Sequence, residues 1–180
     1  MIMAMARVAV LALTFLMSAR SLAGADVVDK SASGFTVRTS VTVAAAPQRV
    51  YQSLLNVGAW WDKEHTYSGD AKNMTLLAQP GGCFCEKYAS GAIEHGRVVN
   101  VSPNKLVRVS GALGPLQELA TAGTMTWTIE PATPGSGSTL TMTYAVAGYA
   151  PGGLDKLADI VDMVLAHQVT LLKAYSEKSR

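Results

Sequence analysis

The chain has 180 residues, of which 49% are hydrophobic and 16% charged, a balance that excludes a disordered tail or a coiled coil. No apolar run reaches the roughly 18 residues that a membrane-spanning helix needs. The formal charge is +2, and both surplus charges, Arg7 and Arg20, lie in the first 25 residues, so the remainder carries 13 basic against 13 acidic groups. A neutral domain has no global field to steer it onto nucleic acid or an anionic membrane.

Residues 1–7 carry one positive charge, residues 8–17 (VAVLALTFLM) are apolar throughout, and Ser21-Leu22-Ala23 and Ala23-Gly24-Ala25 are small-x-small steps. This is the three-part pattern of a secretory signal peptide, with cleavage expected after Ala25 and, second, after Ala23. A periplasmic or secreted location follows. No cysteine near the cleavage region offers a lipid attachment point.

Residues 26–34 are small and polar and read as a flexible lead-in to a single domain spanning 35–180. Residues 35–44 (FTVRTSVTVA) alternate apolar and polar, which predicts a strand with one dry face. Pro47 suits the first position of a helix whose stripe is Val50, Tyr51, Leu54 and Leu55. A second short helix is expected over 59–63 and a loop over 65–70 (HTYSGD). Strands are expected over 73–78, 83–89, 92–101 and 106–110, then a connection of unassigned shape over 111–122. Threonine alternates with apolar residues over 124–130 and again over 139–146, and PATPGSGS between them predicts a hairpin. Residues 154–178 read as a long amphipathic helix with Leu154, Leu157, Val161, Val164, Leu165, Leu171, Leu172 and Tyr175 on one face. A run of strands with helices at either end predicts an α+β layer fold.

That order resembles the helix-grip fold of the START and birch-pollen-allergen-like (SRPBCC) superfamily. The likeness rests on three passages: residues 41–55 (VTVAAAPQRVYQSLL); Trp60-Trp61 followed by Gly81-Gly82-Cys83-Phe84-Cys85-Glu86; and Gly96-Arg97-Val98-Val99 through Pro103-Asn104-Lys105-Leu106-Val107. The second is similar to the "WW…GG-x-F-x-E" pattern of the polyketide-cyclase and Hsp90-activator-like branches. The resemblance implies a curved antiparallel sheet of about six or seven strands wrapped around the C-terminal helix, with an apolar cleft between them. Trp60, Trp61, Phe84, Glu86, Trp127, Met142, Tyr144, Val161, Leu165 and Gln168 are the candidates to line it. Superfamily members include carriers, cyclases and chaperone partners, so fold alone does not name the activity.

Glu86, Tyr88, His95 and Arg97 form a polar group on neighbouring strands. A carboxylate in an apolar cleft needs a partner or a raised pKa, and His95 or Arg97 is placed to be that partner. In an enzyme, Glu86 and His95 would be the acid and base. Cys83 and Cys85 point to one side of a strand, and three readings stand: two buried thiols, a strained or redox-labile disulfide, or a metal or intermolecular site. The second ligand pair that a zinc site wants is missing, and no phosphate loop, nucleophile elbow or dinucleotide fingerprint occurs in the sequence. No metal, cofactor or nucleic acid is expected. The leading expectation is a binder of a small hydrophobic or lipid-like ligand. The alternatives are a cyclase, dehydratase or hydrolase in the same cavity, and a docking module for a partner protein.

Overall fold

Every alternating stretch of the sequence enters one antiparallel sheet. The computed structural model describes residues 24–132 and 135–178. Eight strands are present among them: β1 (Gly24–Ser31), β2 (Gly34–Val43), β3 (Met74–Leu76), β4 (Cys83–Tyr88), β5 (Gly91–Ser102), β6 (Leu106–Ser110), β7 (Ala120–Pro131) and β8 (Ser138–Tyr149). Their order across the sheet is β1-β2-β8-β7-β6-β5-β4-β3. Helix α1 (Pro47–Leu55) follows β2, and α2 (Asp155–Glu177) follows β8. This is an α+β helix-grip architecture.

The inner face follows the alternation. Phe35, Val37, Val41 and Val43 of β2, Leu140, Met142, Tyr144 and Val146 of β8, and Met125, Trp127 and Ile129 of β7 are buried, with Thr39 among them on β2, while the threonines at the alternate positions turn outward. Helix α2 buries Ala158, Leu165, Val169 and Leu172 and packs closest to β1, β2 and α1. A buried leucine or valine contributes about 1.5–3 kcal/mol. Polar ties fix the helix in place: Lys30 Nζ reaches Asp159 at 3.0 Å, and Arg49 Nε donates to the Ser176 carbonyl at 2.8 Å.

Three expectations are corrected and one open segment is filled in. The sheet has eight strands, not six or seven. Residues 26–31, read as a lead-in, belong to β1, which pairs with β2 from Gly24↔Ser40 to Ser31↔Gly34. The expected leader lies outside the described residues except for Gly24 and Ala25, which open β1. The single short helix over 59–63 is replaced by two 3₁₀ turns, Val57–Ala59 and Lys63–His65. The unassigned connection holds a 3₁₀ turn, Gly114–Glu118, and β7 starts already at Ala120.

Gly148 lies where β8 has run past β2 but is still paired with β7. Its φ is +141°, and a Cβ there would lie 2.1 Å from the Ala120 carbonyl oxygen. Gly148→Ala is therefore expected to cost about 2–3 kcal/mol through strain and steric overlap, measured as a shift of the urea midpoint at unchanged slope.

Candidate functional site

Strand β4 places Phe84 and Glu86 on the inner face and Cys83 and Cys85 on the other. Opposite it, β5 carries a bulge: Cys85 pairs with Glu94 and Phe84 with Gly96, so His95 is the additional residue. The bulge makes His95 and Gly96 buried in succession, which a regular strand cannot do. His95 thereby turns inward and brings Nε2 to 3.1 Å from Glu86 Oε2.

Glu86 is fully buried, with no solvent exposure. Two backbone amides of the 65–70 loop point at its carboxylate: Tyr67 N donates to Oε2 at 3.1 Å and Ser68 N to Oε1 at 2.5 Å. Burial pushes the carboxyl up, but the hydrogen bonds from Ser68, Tyr67 and His95 outweigh it and hold Glu86 below the usual glutamate value. Burial holds His95 below the usual imidazole value, against the opposing pull of Glu86. At neutral pH the pair is a carboxylate and a neutral imidazole that donates from Nε2. The Phe84 and Tyr67 rings flank this imidazole, with centroids at 5.1 and 6.0 Å.

The near end of the same loop is held by Asp62. Its Oδ2 lies 3.2 Å from both His65 Nδ1 and His167 Nε2, and its Oδ1 accepts from Glu64 N at 3.1 Å. The Glu64 amide, followed by the two histidines, keeps Asp62 below the usual aspartate value in spite of partial burial. Gln168, fully buried on α2, accepts from Asp62 N at 2.9 Å. The loop is thus anchored at both ends, by Asp62 and Gln168 and by Glu86.

Beneath it lies an aromatic box. Trp60 packs against Trp61 (5.5 Å between centroids) and edge-on against Trp127 (6.1 Å), and Trp61 packs edge-on against Phe84 (5.7 Å). Trp60 Nε1 donates to the Ser53 carbonyl at 2.9 Å, and Trp61 Nε1 to the His65 carbonyl at 3.1 Å. With Leu54, Val57, Leu76, Val109 and Met125, these rings enclose a void of about 10 Å³, about the room one water occupies.

Of the residues expected to line a cleft, Trp60, Trp61, Phe84 and Trp127 do line this void. The others do not. Met142, Tyr144 and Leu165 are packed core residues, and Val161 is a half-buried residue packed against that core. Gln168 is spent on Asp62. Tyr144 bridges the Gly111 carbonyl and Leu113 N, and burial pushes its hydroxyl up to about 12. Tyr88 is exposed at the end of β4. Arg97 is exposed and pairs with Glu94, so His95 alone is the partner of Glu86. The void lies between the sheet and the α1–3₁₀ segment rather than under α2, because α2 packs closest to the β1–β2 edge. Leu54, Val57, Leu76, Val109 and Met125 were not singled out, although Met125 shares the alternation that marks Trp127. The cysteines are joined, with Cα atoms 5.4 Å apart.

A second, open groove of about 490 Å³ runs over the outer face of β1, β2, β8 and β7. It is lined by small side chains such as Gly34, Thr36, Ala122 and Ala145 and holds no aromatic platform beyond the edge of Phe35. The chemistry of the molecule is concentrated at the aromatic box.

Comparison with family models and with curated proteins finds no match. Solved structures do match in fold. A Rhizobium leguminosarum protein of unassigned role aligns with TM-score 0.60 at 18% identity, over 88% of this chain and all of that one. MLL2253 from Mesorhizobium loti gives TM-score 0.59 at 17% identity over 81% of this chain and 98% of its own. CalU16 from Micromonospora echinospora gives 0.57 at 10% identity over 87% and 86%. At such identities the likeness establishes a shared fold, a sheet gripping a C-terminal helix, and leaves the activity to be argued from the site.

Proposed function

We propose that this protein is an exported binder of a small hydrophobic ligand, which it holds in the aromatic box without transforming it. One observation carries the reading: three tryptophans and a phenylalanine converge on a void, and one of them, Trp61, leads into a tethered loop. Trp61 moves with that loop, because its indole N–H is tied to the His65 carbonyl. Lifting residues 67–70 off Glu86, with Asp62 still held by Gln168, breaks two hydrogen bonds to a charged group, at about 1.5–3 kcal/mol each. Burying roughly 300 Å² of ligand surface contributes about 7.5 kcal/mol before association costs, and this is the term that has to offset the opened loop. The closed void then expands around an occupant instead of standing open and wet.

Export rests on the tripartite pattern of residues 1–25, and the periplasm is the proposed location. Cleavage after Ala23 keeps β1 whole, whereas cleavage after Ala25 trims two residues from an edge strand. Glu86 is committed to the loop amides and His95, which favours its use as a latch over a free acid or base and sets the enzyme reading second.

Native mass spectrometry of the gently purified protein beside a denatured control tests the proposal. A mass excess that vanishes on denaturation is the expected result. No excess, together with tryptophan emission that does not respond to small apolar probes, removes the reading. It would favour a docking module instead, for which Ile160 and Met163, both more than half exposed on α2, are the apolar candidates.

A further inference from the structure

The Cys83–Cys85 bond has no part in the box, and its position argues against a purely structural purpose. It joins residues two apart in one strand, so it closes the shortest of loops and constrains the unfolded chain least. Strand β4 is already paired on both sides, to β3 and β5. The sheet therefore holds this segment with or without the bond.

The surroundings suit exchange chemistry. Both cysteines are half-buried and face away from the core. Glu94 and Arg97, their cross-strand partners on β5, are exposed and paired with each other. A Glu94 carboxylate oxygen lies within 4.8 Å of both sulfurs, and the Arg97 guanidinium rides on that carboxylate. Glu94 is the charge nearest the sulfurs and disfavours a thiolate there, a penalty that its pairing with Arg97 offsets. The Cα atoms of Cys83 and Cys85 stand 5.4 Å apart, where an extended strand separates such residues by roughly 6.7 Å. Here β4 is contracted, and the bulge that inserts His95 lies directly opposite.

We propose that Cys83 and Cys85 form a thiol–disulfide exchange site for a small zwitterionic thiol, whose carboxylate and ammonium groups Arg97 and Glu94 would meet. A thiolate of the small molecule attacks one Sγ. The Cys83–Cys85 bond breaks, its electron pair leaves on the other Sγ, and that thiolate takes a proton from solvent. A second small thiolate attacks the mixed disulfide and leaves as the small-molecule disulfide. The balance is one protein disulfide and two thiols going to one protein dithiol and one disulfide, a two-electron exchange. It does not depend on what occupies the aromatic box.

The test uses the full folded protein in mixtures of reduced and oxidised glutathione, quenched with acid, alkylated and weighed. The expected result is a complete, reversible shift from no alkylated cysteine to two as the reduced form replaces the oxidised one. The near-UV circular dichroism band should persist at both ends, showing that the fold survives. A bond that resists the most reducing mixture until the chain is unfolded overturns the proposal. So do thiols that stay free in the most oxidising mixture.

Discussion

Glu86→Ala is expected to destabilise the protein by about 3–5 kcal/mol, the cost of removing one partner from a buried charged network. The loss exceeds that of an ordinary surface carboxylate because Glu86 is fully buried and satisfies the Tyr67 and Ser68 amides and His95 Nε2 together. Glu86→Gln keeps the shape but removes the charge, and about 1.5–3 kcal/mol is expected. Hydrogen exchange localises the effect: the Tyr67 and Ser68 amides, protected in the wild type, should exchange fast in either variant. The pH dependence has a definite sign. Both Glu86 and His95 have folded-state values below their ordinary ones, so the unfolded chain binds more protons and acid weakens the fold. The His95 share begins to be lost as pH falls below the ordinary imidazole value of 6.5 and is gone below its folded value. The Glu86 share follows below 4.5. Denaturant unfolding from pH 8 to about pH 3 should show both stages in the wild type and a smaller lower stage in Glu86→Gln, where Asp62 and Glu177, also held below their ordinary values, still contribute. A profile with no loss in the upper stage would show that His95 does not sit neutral beside Glu86.

Trp60→Ala is expected to cost about 3–5 kcal/mol, as truncation of a buried aromatic does. Trp60 is only 5% exposed, supports both Trp61 and Trp127, and ties α1 to the box through the Ser53 carbonyl. In a domain of this size, that corresponds to a fall in Tm of about 10–15 °C. Trp60→Phe, which refills most of the space, should lose less than half as much. The alanine variant also offers a direct assay of the site. It enlarges the void by nearly an indole ring, and apolar cavities of that size take up aromatic molecules. Indole added at millimolar concentration is expected to restore part of the lost Tm in Trp60→Ala and to leave Trp60→Phe unchanged. Equal response of the two variants would place the indole elsewhere.

The fold was legible because period-two alternation is strong where a strand is buried on one face. Residues 124–130 and 139–146 carry it plainly and become the longest ladder in the sheet, β7 with β8. β1 escaped because it is an edge strand paired on one side only, and its polar run, with Lys30 and Asp29 among its residues, lacks a continuous apolar face. The aromatic members of the site were legible as types: Trp60, Trp61, Phe84 and Trp127 lie together. The neighbours that complete the box were not, since they come from α1, one 3₁₀ turn and three strands that only the sheet order brings together. The role of Glu86 was hidden for a different reason. Its main partners are backbone amides of Tyr67 and Ser68, which leave no mark in side-chain pattern, and His95 reaches it only through a bulge. Gln168 looked like a ligand contact because a buried amide on an apolar helix face wants a partner; the partner is the Asp62 backbone.

The order of the sheet sets when this chain can fold. β8, third in that order, is clasped between β2 and β7, so the ladder from Gly34↔Ala147 to Val43↔Ser138 joins segments about a hundred residues apart. Closing so large a loop costs entropy before any contact rewards it, which places the protein among the slow, non-local folders. Until Ser138–Tyr149 has arrived, β2 and β7 are open edges with their inner apolar faces uncovered, ready to pair with other chains. The last quarter of the polypeptide therefore acts as the keystone of the structure, and a chain cut short of it is left prone to aggregation rather than partly folded.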